Sequence, residues 1–158
     1  MSAILLNPDY PVLDIQDRSA TVTLPTTPTV YAPSLTITAL GITYDSSTGI
    51  ITLPESRVYS SFLVVNANVS GSKTVNAYVS VNTGSGFVIS QYSGRQLNFN
   101  GATDGQLSTV SRNFFAAGTQ LKFYVWGSTS GTVLATQDLT GTSPGTVTAP
   151  ASRLMIGG

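Results

Sequence analysis

The sequence predicts an all-β protein, and three observations carry the prediction. Apolar and polar residues alternate with a period of two in one short run after another, the pattern of half-buried strands. Clusters of Gly, Ser, Asn and Asp separate those runs, residue types that favour turns for backbone reasons. No window sustains an apolar period near 3.6 residues, so nothing in the chain reads as an amphipathic helix. Eight or more strands in about 125 residues suggest a sandwich, a jelly roll or a barrel, architectures that limit exposed edges.

Thr21–Leu24 is the first short strand. Leu35, Ile37 and Ala39 then alternate with Thr36 and Thr38, and Ile42 and Tyr44 continue the pattern beyond Gly41, a bulge position. Residues 49–53 form a strand that Pro54 ends, because proline has no N–H for a ladder. Residues 57–70 are the longest run, with Tyr59, Leu63, Val65, Ala67 and Val69 on one face, opposite Asn66, Asn68 and Ser70. Ser70-Gly71-Ser72-Lys73 reads as a tight turn into Val75, Ala77, Val79 and Val81, which alternate strictly. Further strands fit residues 86–91, 95–99, 106–115, 119–127, 132–137 and 151–156.

The first 33 residues read differently. Five of the eight prolines fall there (Pro8, Pro11, Pro25, Pro28 and Pro33), and each fixes φ and biases its predecessor towards extended geometry. Residues 1–33 are expected to be an extended N-terminal arm that orders on another surface, and residues 34–158 the β domain. The alternative is a strand and loop packed on the chain's own body. Leu5, Leu6, Tyr10, Val12, Leu13 and Ile15 are the apolar groups expected to bury against a partner.

Composition narrows function by exclusion. Charged residues make up 9% of the chain, against about 25% in an average soluble domain, and seven basic residues balance seven acidic ones. Ser and Thr, 42 residues together, take the place of the missing charge. A neutral chain without a basic tail lacks the footprint of nucleic-acid binding. With no His and no Cys, a zinc finger, a catalytic thiol, a disulfide scaffold and a Ser-His-Asp triad are impossible. No signal-peptide pattern and no apolar run of membrane length is present, which predicts synthesis in a host cytoplasm and no membrane partner.

Seven carboxylates remain: Asp9, Asp14, Asp17, Asp45, Glu55, Asp104 and Asp138. A glycosidase needs two of them across a cleft. Three lie in the arm, and Asp45 and Asp104 lie in turns where Asp caps the backbone, so no enzymatic activity, cofactor or metal is expected. Tyr92, beside Ser93-Gly94-Arg95, is the best place for a sugar to stack, although a plain hairpin tip is the simpler reading.

One strand carries more. In Thr119–Gly127 the face of Leu121, Phe123 and Val125 is apolar, yet the opposite face carries Lys122, Tyr124 and Trp126. A strand with apolar area on both faces wants a core on one side and a cover on the other. Tyr124 and Trp126 are therefore expected in a subunit interface, the alternative being loops of the same subunit.

The order of features from Thr48 to Gly157 resembles the jelly roll of the complement globular-head and tumour-necrosis-factor superfamily. The likeness rests on Gly49-Ile50-Ile51-Thr52-Leu53-Pro54 leading to Arg57-Val58-Tyr59, on Ala116-Ala117-Gly118-Thr119-Gln120-Leu121, and on the closing Ala151-Ser152-Arg153-Leu154-Met155-Ile156. Thr119 stands where the family has Asp, and a second Gly is missing near Ser56. The resemblance implies an antiparallel β-sandwich of jelly-roll type and a homotrimer. Similar domains occur in bacteriophage virions as capsid decoration (cement) proteins, head fibres and fibre tips, and this Ser/Thr-rich chain looks most like that group. The expected function is a homotrimeric decoration protein on the capsid surface, bound to the major capsid protein through three arms. A receptor-binding fibre tip and a free sugar-binding module are the alternatives.

Overall fold

The computed structural model describes residues 10–33, 37–69, 71–100, 103–139 and 147–158. Its strands, in chain order, begin with β1 (Val12–Asp17), β2 (Thr21–Thr23), β3 (Thr29–Val30), β4 (Ile37–Leu40), β5 (Thr43–Asp45) and β6 (Ile50–Thr52). The middle of the chain forms β7 (Arg57–Val69), β8 (Lys73–Asn82), β9 (Phe87–Ile89), β10 (Arg95–Phe99) and β11 (Thr103–Phe115). The last third forms β12 (Gln120–Gly127), β13 (Val133–Ala135), β14 (Gln137–Leu139), β15 (Val147–Ala149) and β16 (Ser152–Gly157).

Two antiparallel sheets face each other. The first, sheet A, runs β4-β1-β16-β7-β11, with β13 beside the C-terminal end of β7 and β2 beside β13. Sheet B runs β10-β8-β12-β6-β5, with β3 laid on β12 and β9 on β8. Strands β14 and β15 pair apart from both. Period-two alternation builds the core between them. Leu13, Ile15, Leu63, Val65, Leu154 and Ile156 point inward from sheet A, and Ile51, Val75, Ala77, Leu121, Phe123 and Val125 from sheet B. The architecture is an all-β sandwich, one of the forms the strand pattern allows, and of the jelly-roll type that the resemblance implies.

The family-like segments meet in space. Gly118 N–H donates to the Leu53 carbonyl (2.8 Å) and Leu53 N–H to the Thr119 carbonyl (2.9 Å), joining the end of β6 to the turn before β12. Gly49, with φ +69°, turns the chain into β6 at a point where an added Cβ would collide with Val30.

The arm expectation needs correction from Val12 onwards. Strand β1 lies inside sheet A, paired along its length with β16 and along Val12–Ile15 with β4. Leu13 and Ile15 are 0% exposed, so they belong to the chain's own core and cannot bury against another surface. Residues 21–31 are also stitched in: β2 pairs with β13, β3 with β12, and Tyr31 N–H donates to the Phe123 carbonyl at 2.7 Å. The prolines mislead because they sit at strand borders: Pro11 precedes β1, and Pro25 and Pro28 lie between β2 and β3. There a missing N–H removes no ladder bond. Between those prolines Leu13 and Ile15 alternate with Asp14 and Gln16 like any other strand.

Smaller differences follow the same logic. The 132–137 run is two strands, β13 and β14, belonging to different sheets. The 106–115 run begins earlier, at Thr103, and pairs with β7 over its whole length.

Candidate functional site

The expected partner-binding residues separate into three groups. Leu5 and Leu6 lie outside the described residues. Leu13 and Ile15 are core. Tyr10 and Val12 remain at the surface, 55% and 39% exposed, and the Arg57 guanidinium carbon lies 5.6 Å from the centroid of the Tyr10 ring.

Tyr124 and Trp126 do point away from the core, on the outer face of sheet B, but they are half-buried against a residue of the same chain. Tyr78, directly across the ladder from Tyr124, stacks on it with ring centroids 4.6 Å apart and planes 20° apart. Trp126 meets Tyr78 at 5.5 Å and 74°, an edge-to-face contact. The phenol of Tyr78 is pushed up by burial and by its neighbour Tyr124.

The larger open apolar area is on the other sheet. Along the outer face of sheet A, Phe114 of β11 stands opposite Val58 of β7, and Val110 opposite Phe62. Met155 of β16 flanks Phe62 on its other side. Phe114 is 66% exposed, Val110 65% and Val58 43%, while Phe62 and Met155 are half-buried beneath them. Val12 and Leu40, cross-strand partners, extend the same face towards β4. Polar breaks in it are Ser60 opposite Arg112, and the ion pair of Asp14 and Arg153. That pair is bidentate, with Nε to Oδ1 at 3.0 Å and Nη2 to Oδ2 at 2.8 Å. The hydrogen bonds from Arg153 hold the Asp14 carboxyl below its ordinary value, against the opposing effect of burial.

The signal for this surface was present in the sequence. Val58, Phe62 and Val64 make β7 apolar on its second face, the same argument that singles out β12, and Val110 and Phe114 do so for β11. Attention to the buried face of these strands hides it.

Four of the carboxylates have structural occupations, Asp14 through its ion pair with Arg153 among them. Asp45 accepts the Ser47 N–H (2.9 Å), the Ser47 hydroxyl (2.7 Å) and the Thr48 hydroxyl (2.7 Å), which lower its pKa to about 2. Asp17 accepts the Ser19 N–H at 2.9 Å, and Glu55 pairs with Arg57 at 2.9 Å. Among the described residues no group of three or more metal-ligating side chains occurs. A cleft of about 460 Å³ opens between β11 and the 90–94 loop over Val79, Val81, Leu121 and Phe123. Its polar lining is mostly hydroxyls, with Ser61 and Ser111 sharing a 2.6 Å hydrogen bond. Tyr92, on the loop at its rim, is 93% exposed.

No protein-family profile matches this sequence, and no curated protein matches it. Solved structures do match the fold. The Eiger TNF of S. frugiperda superposes with a TM-score of 0.57 at 12% identity, over 93% of this chain and 90% of that one. The fold is a TNF-like jelly roll. Murine APRIL, solved at pH 5.0, agrees, with a TM-score of 0.51 at 10% identity over 94% of this chain and 98% of that one. At such identities the TNF-like likeness is one of fold, and function has to be argued from this chain's own surfaces.

Proposed function

We propose that the chain is a non-enzymatic virion protein of a bacteriophage, a homotrimeric capsid decoration protein that binds the major capsid protein and stabilises the head. The observation that carries the reading is the exposed apolar face of β7, β11 and β16. An area holding Phe114, Val110 and Val58 in water marks a surface made for contact. Identical copies that share it in a closed ring leave no open end to aggregate. Three copies is the number the TNF-like fold suggests. On this reading self-association uses sheet A and leaves Tyr124 and Trp126 outside the interface.

The virion part rests on composition: a neutral, Ser/Thr-rich, Cys-free and His-free β body resembles the decoration and fibre domains of phages. With β1 taken into the sandwich, head attachment falls to the residues ahead of Val12, among them Leu5, Leu6 and Tyr10. Three such segments on one base make later contacts intramolecular, so avidity exceeds the affinity of one segment by about 10²–10⁴. The test is co-sedimentation with decoration-free heads. Deleting residues 1–9 should abolish head binding and leave the oligomer intact; undiminished binding by the truncated protein would refute the attachment mechanism. The receptor-binding tip of a fibre is the second reading, favoured by the aromatic and amide side chains on the outer face of sheet B.

A further inference from the structure

The two outer faces are built from different chemistry. Sheet A shows aliphatic and phenyl groups. On sheet B, strands β8, β10 and β12 turn outward Tyr78, Tyr124 and Trp126, bordered by amides and hydroxyls. Gln96 Nε2 donates to Asn76 Oδ1 at 2.9 Å, in the row that also holds Trp126. One row further, Thr74 Oγ1 donates to Asn98 Oδ1 at 2.9 Å. These bonds hold the two outer amides in place and leave the Gln96 carbonyl and the Asn98 NH₂ group, both on exposed side chains, for another molecule. Lys122 is the one charge these three strands turn to this face among the described residues, and its ammonium lies 4.5 Å from the centroid of the Phe87 ring.

A pyranose ring presents an apolar C–H face and a rim of hydroxyls that both donate and accept. Partly open aromatic rings suit the first, and fixed planar amides with a free donor and a free acceptor suit the second. The near absence of charge selects further, since nucleic acid or an anionic polymer would require several cations here. Rows on one face of a strand repeat every about 7 Å, so the rows of Tyr78, Asn76 and Thr74 form a track rather than a point. The 90–94 loop crosses the edge of β8 and is held there by Val79 N–H donating to Ser93 Oγ at 3.0 Å; its exposed Tyr92 stands over the cleft between the sheets and is not part of the track.

We propose that the outer face of sheet B is a binding platform for a neutral polysaccharide. Tyr78, Tyr124 and Trp126 form its stacking floor, and Gln96 and Asn98 supply its amide contacts. The platform lies within one chain, so it depends neither on self-association nor on where in a virion the protein sits.

The experiment is native electrophoresis of the full chain through gels containing a neutral glucan, a mannan or a galactan, with polygalacturonate as the anionic comparison. The expected result is retardation by at least one neutral polymer, unchanged by raised salt, because no ion pair is involved. Trp126→Ala and, independently, the exposed Gln96→Ala should each weaken that retardation by about tenfold. Thermal melts identify any variant that has unfolded, and Gln96→Ala, which removes no core contact, keeps the test decisive if Trp126→Ala does so. Free passage through all three neutral gels would overturn the proposal, as would retardation by polygalacturonate alone, or retardation untouched by both variants. A folded Trp126→Ala protein of reduced solution mass would also overturn it, because these rings would then be a subunit contact.

Discussion

Replacing Leu13 with alanine tests whether the N-terminal segment is part of the body. Leu13 is 0% exposed, sits one strand from the centre of sheet A opposite Ile156, and shares its inner face with Ile15. Truncating a fully buried leucine costs the transfer free energy of the lost methyl groups plus the cavity left behind, about 2–5 kcal/mol. The site cannot easily collapse, because β1 is held on both sides, by β16 and by β4. The upper half of that range is therefore expected. With a urea m-value of roughly 1–3 kcal/mol/M, the unfolding midpoint should fall by about 1–5 M, read by circular dichroism. Val12→Ala, on the outer face of the same strand and 39% exposed, should shift it much less. Equal and small shifts for both variants would show that β1 is not anchored, and the free-arm reading would return.

Other outcomes follow from local geometry. Gly49→Ala should destabilise by about 1–3 kcal/mol, since φ is +69° and the new Cβ would strike Val30; a wild-type melting curve would contradict that packing. In acid, the carboxyls of Asp14 and Asp45 have folded pKa values below their unfolded ones, Asp45 at about 2. Their contribution is complete above the unfolded value near 4 and is lost as pH falls through the folded values, so stability should drop between about pH 4 and pH 2. Asp45→Asn should flatten that drop in acid melts. In alkali the sign reverses. Burial pushes the Tyr44 phenol, which donates to the Pro33 carbonyl at 2.7 Å, up to about 12, and raises Tyr31 further. Their contribution is complete below pH 10 and is lost as pH rises through the folded values, so Tyr44→Phe should narrow the alkaline loss, followed by phenolate absorbance.

Most of the sandwich was legible because its strands obey period two. Val75–Val81 and Leu121–Val125 alternate cleanly, and their inward residues are those that fill the core. Strand β1 was obscured by its neighbours: prolines at strand borders resemble prolines in an arm, and only the burial of Leu13 and Ile15 separates the two cases. The split between β13 and β14 was invisible for a related reason, since one residue, Thr136, carries the chain from one sheet to another. Surfaces were read less well than strands. Trp126 is conspicuous in the sequence by its size, whereas its partner Tyr78 lies 48 residues earlier, and cross-strand register is a tertiary fact. The apolar outer face of sheet A needs β7, β11 and β16 side by side, which no single stretch of sequence displays.

The central claim is self-association through that face, and its free energy can be bounded. Fully burying a Val or Phe side chain is worth about 1.5–3 kcal/mol, so covering the exposed parts of Phe114 (66%), Val110 (65%) and Val58 (43%) yields about 3–5 kcal/mol per subunit. The most direct measurement is solution mass by light scattering, for the wild type and for the Val110→Asp, Phe114→Asp double variant. A wild type near 50 kDa, three times the 16.5 kDa chain, and a folded variant at the single-chain mass are predicted. A wild type at 16.5 kDa, or a trimer indifferent to both aspartates, would contradict the account.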